Sequence, residues 1–203
     1  GAANLLKHLQ IVRGFGITPV VAVNVFPTDH DAEIEEVTRI AHDAGARATV
    51  CHPVTRGGEG CLDLAGAVVE ACQEAGEPAS THPVYEPQDD LRTKIAKVAD
   101  LYGADGVDYT PAAGRLLDAY ERDGFGNLPV IVAKTPLSLS AEPGRKGVPT
   151  GWRLPVREVR LAAGAGYVYA ICGNLSTMPG LPSHPAAERI DVDVDTGRIV
   201  GLR

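Results

Sequence analysis

Short apolar runs alternate along this chain with stretches whose hydrophobic positions follow helical spacing. The apolar runs predict strands, and the helically spaced stretches predict amphipathic helices. Strands are predicted at residues 18–24, 47–51, 106–109, 128–133, 154–161, 167–172 and 190–202. Helices are predicted at residues 4–15, 30–44, 61–75 and 91–101, with one more from Pro111. This order of elements is typical of parallel β-α-β units.

The predicted fold class is α/β, with a parallel sheet of β-α-β units flanked by helices and an additional β-rich C-terminal region. Residues 136–151 are rich in glycine, proline and serine and predict a long loop. Beyond this loop only strands are predicted, the last with a hairpin turn at Asp195-Thr196-Gly197. We therefore expect an α/β domain over residues 1–135 and a β-rich region over residues 136–203 that packs on it.

The most informative segment is the strand that ends at Asn24 and continues through Phe26 into a helix. Ligands of open α/β sheets bind outside the carboxyl ends of the strands, where Phe26 is expected to project. Phe26 is therefore a candidate ligand platform, with the alternative that its ring only covers the end of the sheet. Thr28 and Asp29 offer side-chain oxygens that can cap the following helix.

A glycine-rich segment, Arg56-Gly57-Gly58-Glu59-Gly60, follows the second strand and opens the next helix. Glycines let backbone N–H groups approach a ligand closely, and a helix N-terminus adds partial positive charge. The segment has no Lys-Ser or Lys-Thr pair, so it is not a phosphate loop. It follows the carboxyl end of a strand, so it and Phe26 should face the same crevice. A plain turn is the alternative.

Lys134 and Thr135 also follow the carboxyl end of a strand, the one predicted at 128–133. They are either ligand contacts or a solvated strand terminus. The six histidines show no metal-ligand spacing, so no metal site is predicted. No Ser-His-Asp arrangement can be argued either. The residues by themselves support a small-molecule crevice and leave the catalytic residues unknown.

Composition narrows the class of protein. The chain has 203 residues and a net charge of −7 without a block of Lys or Arg, so a nucleic-acid partner is not expected. No apolar run approaches the roughly 20 residues of a membrane helix, so no membrane partner is expected. The four cysteines show no C-x-x-C spacing. We expect them to be reduced thiols in a cytoplasmic protein.

Several collinear segments resemble the formate–tetrahydrofolate ligase family, also called formyltetrahydrofolate synthetases. They are Val23–Asp29, Arg56–Gly60, Tyr102–Val107, Leu128–Thr135, Val156–Arg160, Ala163–Gly166, Thr177–Pro182 and Pro185–Asp191. These segments run nearly from end to end of the chain. The resemblance covers only the C-terminal part of the family members, which are more than twice as long.

The resemblance implies ATP-dependent joining of formate to N10 of tetrahydrofolate, through formyl phosphate, in one-carbon metabolism. It implies Mg-ATP and tetrahydrofolate as ligands and allows for a monovalent cation. The family's phosphate loop lies in the N-terminal part, so we expect this chain alone to be inactive. The expected partners are that N-terminal part, in the same or a separate chain, and the substrates formate and tetrahydrofolate. An oligomer is also expected.

By the same resemblance, this chain should hold the folate and adenosine side of the ligase site. Phe26 matches a family aromatic that packs against the pterin ring, and Val54 stands where the family has a tryptophan on the ring's other face. The substrate-binding candidates are Phe26, Val54, Arg56, Gly57, Gly58, Glu59 and Gly60. The nucleotide-side candidates are Lys134, Thr135 and Ser138.

Two hypotheses follow from these observations. The chain is either the C-terminal portion of a ligase, or a non-catalytic folate-binding or assembly module that keeps the fold without the reaction. The departure at Val54 motivates the second hypothesis. A third and weaker hypothesis is an unrelated small α/β enzyme. The sequence contains no plausible nucleophile, acid–base pair or metal cluster to support it.

Overall fold

The computed structural model describes residues 1–75, 81–173, 175 and 182–202. Apart from residues 1–3, these residues divide into two compact units. The N-terminal unit contains residues 4–75, 81 and 182–202, and the central unit contains residues 82–173 and 175.

The longer helices and the strands follow one another along the chain in the predicted order. The α-helices are α1 (Ala2–Gly14), α2 (Asp31–Asp43), α3 (Pro53–Arg56), α4 (Leu62–Ala75), α5 (Leu91–Leu101) and α6 (Pro111–Arg122). The strands are β1 (Val20–Asn24), β2 (Arg47–Cys51), β3 (Val107–Tyr109), β4 (Val130–Ala133), β5 (Leu154–Ala162), β6 (Tyr167–Cys172), β7 (Asp191–Asp193) and β8 (Arg198–Val200). Short 3-10 helices cover Gly57–Cys61 and Ala186–Glu188.

The N-terminal unit is built on a parallel pair of strands. β1 and β2 pair from Val20 opposite Arg47 to Asn24 opposite Cys51. α2 is the crossover that a parallel connection requires, and both α2 and α4 pack on the two strands. β7 and β8 form a hairpin, in which the Gly197 N–H donates to the Asp193 carbonyl at 2.7 Å. The predicted turn at residues 195–197 is therefore confirmed.

The central unit is built on a four-stranded mixed sheet with the order β3-β5-β6-β4. The outer pairs, β3 with β5 and β4 with β6, are parallel, and the inner pair is antiparallel. α5 and α6 pack on this sheet. The core between them is continuous, and its fully buried side chains include Leu91, Ile95, Leu117, Leu154, Val156, Val159 and Val168.

The α/β fold class is confirmed, with parallel strand pairs flanked by helices and further strands toward the C-terminus. The division into units does not coincide with the expected boundary after residue 135. β4 precedes this boundary and β6 follows it, yet the two pair along their length. Residues on both sides of position 135 therefore share one sheet and one core.

Candidate functional site

Phe26 lies in a tight turn just beyond the end of β1. The Asp29 carboxylate accepts a hydrogen bond from the Phe26 N–H at 2.8 Å, and the Asp29 N–H donates to the Phe26 carbonyl at 3.0 Å. The prediction that Thr28 or Asp29 caps the next helix is wrong, because the N-cap of α2 is His30 and Asp29 closes the turn instead. The turn leaves Phe26 47% exposed.

The glycine-rich segment after β2 is helical. α3 passes at Arg56 into the 3-10 helix Gly57–Cys61. The Arg56 N–H donates to the His52 carbonyl at 2.9 Å, and the His52 N–H donates to the Gly60 carbonyl at 2.9 Å. The backbone at both ends of the segment is therefore tied to His52, and the choice between a plain turn and a ligand contact stays a prediction.

Two glycines of this segment are needed for its geometry. Gly57 has a φ of +54°, a conformation that disfavours a side chain. A Cβ atom at Gly60 would lie 2.5 Å from the His52 carbonyl oxygen. A Cβ atom at Gly57 would lie 3.5 Å from Oδ1 of Asp191, because β7 packs against this segment. These glycines therefore serve the local packing, and a ligand role for them stays a prediction.

Phe26 and the glycine-rich segment both follow the carboxyl ends of paired parallel strands, so they lie at one edge of the sheet. A cavity of about 330 Å³ opens beside the segment, and Val50, His52, Arg56, Glu59, Gly60, Leu62 and Asp63 line it. Its volume falls within the range of small-molecule sites, roughly 300–1,000 Å³. Arg56 and Glu59 face each other across 3.9 Å, with both side chains exposed. The cavity is therefore open and polar.

Val54 lies on α3, next to this cavity, and is 43% exposed. Neither Val54 nor Phe26 is among the side chains that line the cavity. Both side chains are apolar and accessible at this end of the N-terminal unit.

Lys134, at the end of β4, is held by its own loop. Its ammonium donates to the carbonyl oxygens of Ser138 at 2.6 Å, Thr135 at 3.1 Å and Ser140 at 3.3 Å. The same ammonium lies 5.1 Å from the ring centroid of Tyr102. Burial lowers the pKa of this amine. Lys134 therefore organises the loop 135–140 and is not a solvated strand terminus.

The hydroxyl groups of this loop are engaged in the same way. Thr135 Oγ1 accepts a hydrogen bond from the Leu137 N–H at 3.2 Å. Ser138 Oγ lies 3.0 Å from Ser140 Oγ and accepts from the Ser140 N–H at 3.1 Å. All three side chains are buried. Among the nucleotide-side candidates, Thr135 and Ser138 thus stabilise the loop conformation.

A small apolar pocket of about 100 Å³ lies beside this loop, lined in part by Tyr102, Lys134 and Trp152. Trp152 is 3% exposed, and its Nε1 has no hydrogen-bond partner among the described residues. Burial raises the pKa of the neighbouring Cys172 thiol to about 12, against the opposing influence of Lys134. The pocket is smaller than a typical ligand site. By itself it is not a nucleotide site.

The structure brings the candidates together in two sets. Phe26, Val54 and the glycine-rich segment belong to the N-terminal unit, whereas the candidates from 134 to 138 belong to the central unit. Sequence reasoning missed Tyr102 and Ser140 as partners of Lys134. Tyr102 opens one of the family-like segments, which is a signal for it, whereas Ser140 offers no such signal.

Among residues 1–75, 81–173, 175 and 182–202, no three His, Cys, Asp or Glu side chains converge as a metal site would require. In the same part of the chain, no helix has the length and apolar character to cross a membrane. The four cysteines are unpaired. Of the family-like segment at 177–182, only Pro182 lies within the described residues.

Comparison with known proteins gives one consistent result. A sequence profile of the formate–tetrahydrofolate ligase family matches residues 1–203. Formate–tetrahydrofolate ligases of Cutibacterium acnes and Saccharopolyspora erythraea are each 56% identical over 203 residues, which is 100% of this chain and 35% of theirs. That of a Roseiflexus species is 50% identical over 204 residues, 36% of its length. The chain thus spans about a third of the relatives that it matches.

Proposed function

We propose that this chain, which belongs to the formate–tetrahydrofolate ligase family, forms the folate and adenosine side of an ATP-dependent ligase. The ligase would join formate to N10 of tetrahydrofolate through formyl phosphate, with Mg-ATP and a monovalent cation, in the cytoplasm. One observation carries the proposal: relatives 56% identical along the entire chain are ligases of nearly three times its length.

The remaining part of such a ligase would have to supply the phosphoryl-transfer groups. Phosphoryl transfer depends on positioning and on neutralisation of phosphate charge, usually by a glycine-rich loop with a lysine and a metal ion. The sequence contains no G-x-x-x-x-G-K-S/T motif. Lys134 already donates to three carbonyl oxygens. We therefore assign Lys134, Thr135 and Ser138 to the shaping of a loop beside the adenosine, and phosphate contacts to the other part.

On the folate side, Phe26 is proposed as one wall of the pterin site and Val54 as the other. Phe26 is exposed and anchored through its backbone by Asp29, so the ring is positioned without being buried. The open cavity along Arg56–Gly60 would accept the polar part of the ligand. Stacking on an aromatic face contributes about 1 kcal/mol beyond area burial. Val54 keeps apolar contact but cannot stack.

The test is reconstitution of activity. The chain is co-produced with the remaining part of the Cutibacterium acnes ligase, and 10-formyltetrahydrofolate is measured with ATP and formate present or omitted. We expect product only from the pair and only with both substrates present. A pair that assembles and binds both substrates but forms no product would contradict the proposal. The chain without its partner is the negative control.

The second candidate function is a non-catalytic folate-binding or assembly module, and the aliphatic side chain at Val54 favours it. Titration with tetrahydrofolate separates the two: tight binding without turnover by the pair supports the module, whereas turnover excludes it. No binding at all would leave a purely structural role.

Replacement of Val54 by tryptophan tests the proposed pterin wall directly. If the ring lies between positions 26 and 54, V54W should tighten tetrahydrofolate binding about fivefold, equivalent to about 1 kcal/mol. Val37, an exposed valine on α2, provides the control substitution V37W, which should leave the affinity unchanged. Equal affinities in wild type and V54W would place the ring elsewhere.

A further inference from the structure

The sheet and the core of the N-terminal unit are incomplete. Sheets built only of parallel strands are normally covered on both faces and have more than two strands. Here β1 pairs only with β2 among the described residues. The largest fully buried side chains of the described residues all belong to the central unit. Several apolar side chains of the N-terminal unit, among them Val54, Val68 and Val69, are exposed in the described part of this chain.

An apolar groove marks where the cover is missing. It lies between α1, the segment leading into β1, and α4, with a volume of about 750 Å³. Leu5, Val12, Ile17, Val20 and Val68 are among the lining side chains, and none of the lining residues is an Asp, Glu, Lys or Arg. Val68 is 43% exposed. A groove of this size with so little charge is typical of an interaction surface.

A second groove, on the other strand, differs in chemistry. It lies along α2 beside Val50 of β2, and Glu35, Arg39 and Asp43 line it. Arg39 pairs there with Glu36 at 2.7 Å and with Asp43 at 2.5 Å. These charged groups form exposed ion pairs with one another. These charges make the groove along α2 a poorer site for an apolar partner than the groove between α1 and α4.

The backbone of β1 offers an open edge at the same place. The Val25 N–H donates to the Cys51 carbonyl at 3.0 Å, so it points toward β2. Successive N–H groups of a strand alternate in direction, so those of Ala22 and Asn24 point away from β2. No described strand pairs with that edge. Unpaired edges of this kind are templates for strand addition.

We propose that the groove and the open edge of β1 bind the part of the ligase that this chain does not span. A strand of that part adds along β1, and its apolar neighbours fill the groove between α1 and α4. The occupant follows from the relatives, about two thirds of whose length lies outside the match. This proposal rests on the proposed function, because the occupant is taken from the same ligases.

The first test places a charge in the groove. The tagged chain and the remaining part of the Cutibacterium acnes ligase are co-produced, and the dissociation constant of the pair is measured. V68E should raise that constant at least about tenfold, because a carboxylate would be buried without a partner. V37E is the matched control, since Val37 is an exposed valine on a helix outside the groove, and it should have no effect. An unchanged constant for V68E would overturn the proposal.

The second test blocks the edge. Ala22 is exposed and its N–H is not used by β2, so A22P should preserve the β1–β2 pair while it prevents strand addition. We expect A22P to abolish assembly and A22S, which keeps the N–H, to retain it. Far-ultraviolet circular dichroism confirms that each variant is folded. Assembly of a folded A22P variant with wild-type affinity would overturn the strand addition.

The readouts separate this proposal from the proposed function. If the pair assembles through Val68 and Ala22 but forms no 10-formyltetrahydrofolate, the docking surface is supported and the proposed function is contradicted. If the pair is active but neither substitution changes its affinity, the proposed function is supported and the docking surface is contradicted. Self-association of the chain that excess partner does not displace would assign the groove to a second copy and would also overturn the proposal.

Discussion

At the residue scale, Gly60 is a position where one methyl group should disrupt the candidate site. A Cβ atom there would meet the His52 carbonyl oxygen at 2.5 Å and the Arg56 Cβ at 2.9 Å. Both belong to the helical segment that shapes the cavity, so neither can move freely. We expect G60A to lower the free energy of unfolding by about 1–3 kcal/mol. Urea denaturation followed by circular dichroism measures this.

Gly58 supplies the matched control for that substitution. A Cβ atom at Gly58 would have no neighbour within 4 Å. G58A should leave the stability unchanged or raise it by less than about 1 kcal/mol, since alanine reduces the entropy of the unfolded chain. Equal losses in G58A and G60A would show that the contact with His52 is not the cause.

Cys172 provides a second prediction at this scale. Burial raises the pKa of its thiol to about 12, so the thiol stays protonated at pH 8. Because the thiolate is the reactive form, Cys172 should resist alkylation in the native protein, whereas the exposed Cys72 should react quickly. Iodoacetamide labelling with peptide mass spectrometry compares the two. Similar labelling rates would contradict the burial of Cys172.

At the element scale, the start of α6 depends on Thr110. Its hydroxyl accepts a hydrogen bond from the Ala113 N–H at 3.2 Å and donates to the Arg157 carbonyl at 2.7 Å. Pro111 occupies the first turn, as the sequence predicts. T110A should cost about 1 kcal/mol of unfolding free energy, whereas T110S should restore most of it. Trp152 emission reports the unfolding of this unit, because Trp152 belongs to its core.

The strand and helix pattern was predictable wherever it depends on neighbours in sequence. The order β1, α2, β2 and the placement of Phe26 beyond β1 follow from apolar spacing alone. The helical form of Arg56–Gly60 does not follow from apolar spacing. It requires the backbone hydrogen bond between His52 and Gly60 and the packing of β7 against Gly57. The hydrogen-bond acceptors of Lys134 could not be predicted from the sequence either, because the loop folds back on its own start.

At the scale of the whole molecule, assembly with the rest of the ligase should change the reactivity of one thiol. Cys72 is exposed and lines the groove between α1 and α4. Its alkylation should slow at least about tenfold in the assembled pair, because covering the groove excludes the reagent. Cys61 lies outside the groove and should react at the same rate in both states. Equal protection of both thiols would indicate a different contact surface.

Hydrophobic periodicity specifies the α/β class, the element order and the strand ends that carry Phe26 and Lys134, because near neighbours in the chain set these features. Three features depend on residues far apart in sequence: the shared sheet of β4 and β6, the two compact units, and the open edge of β1. Pairing and burial join distant segments, so a local pattern cannot reveal which strand finds a partner and which is left exposed. The exposed edge and groove emerge only from the folded chain.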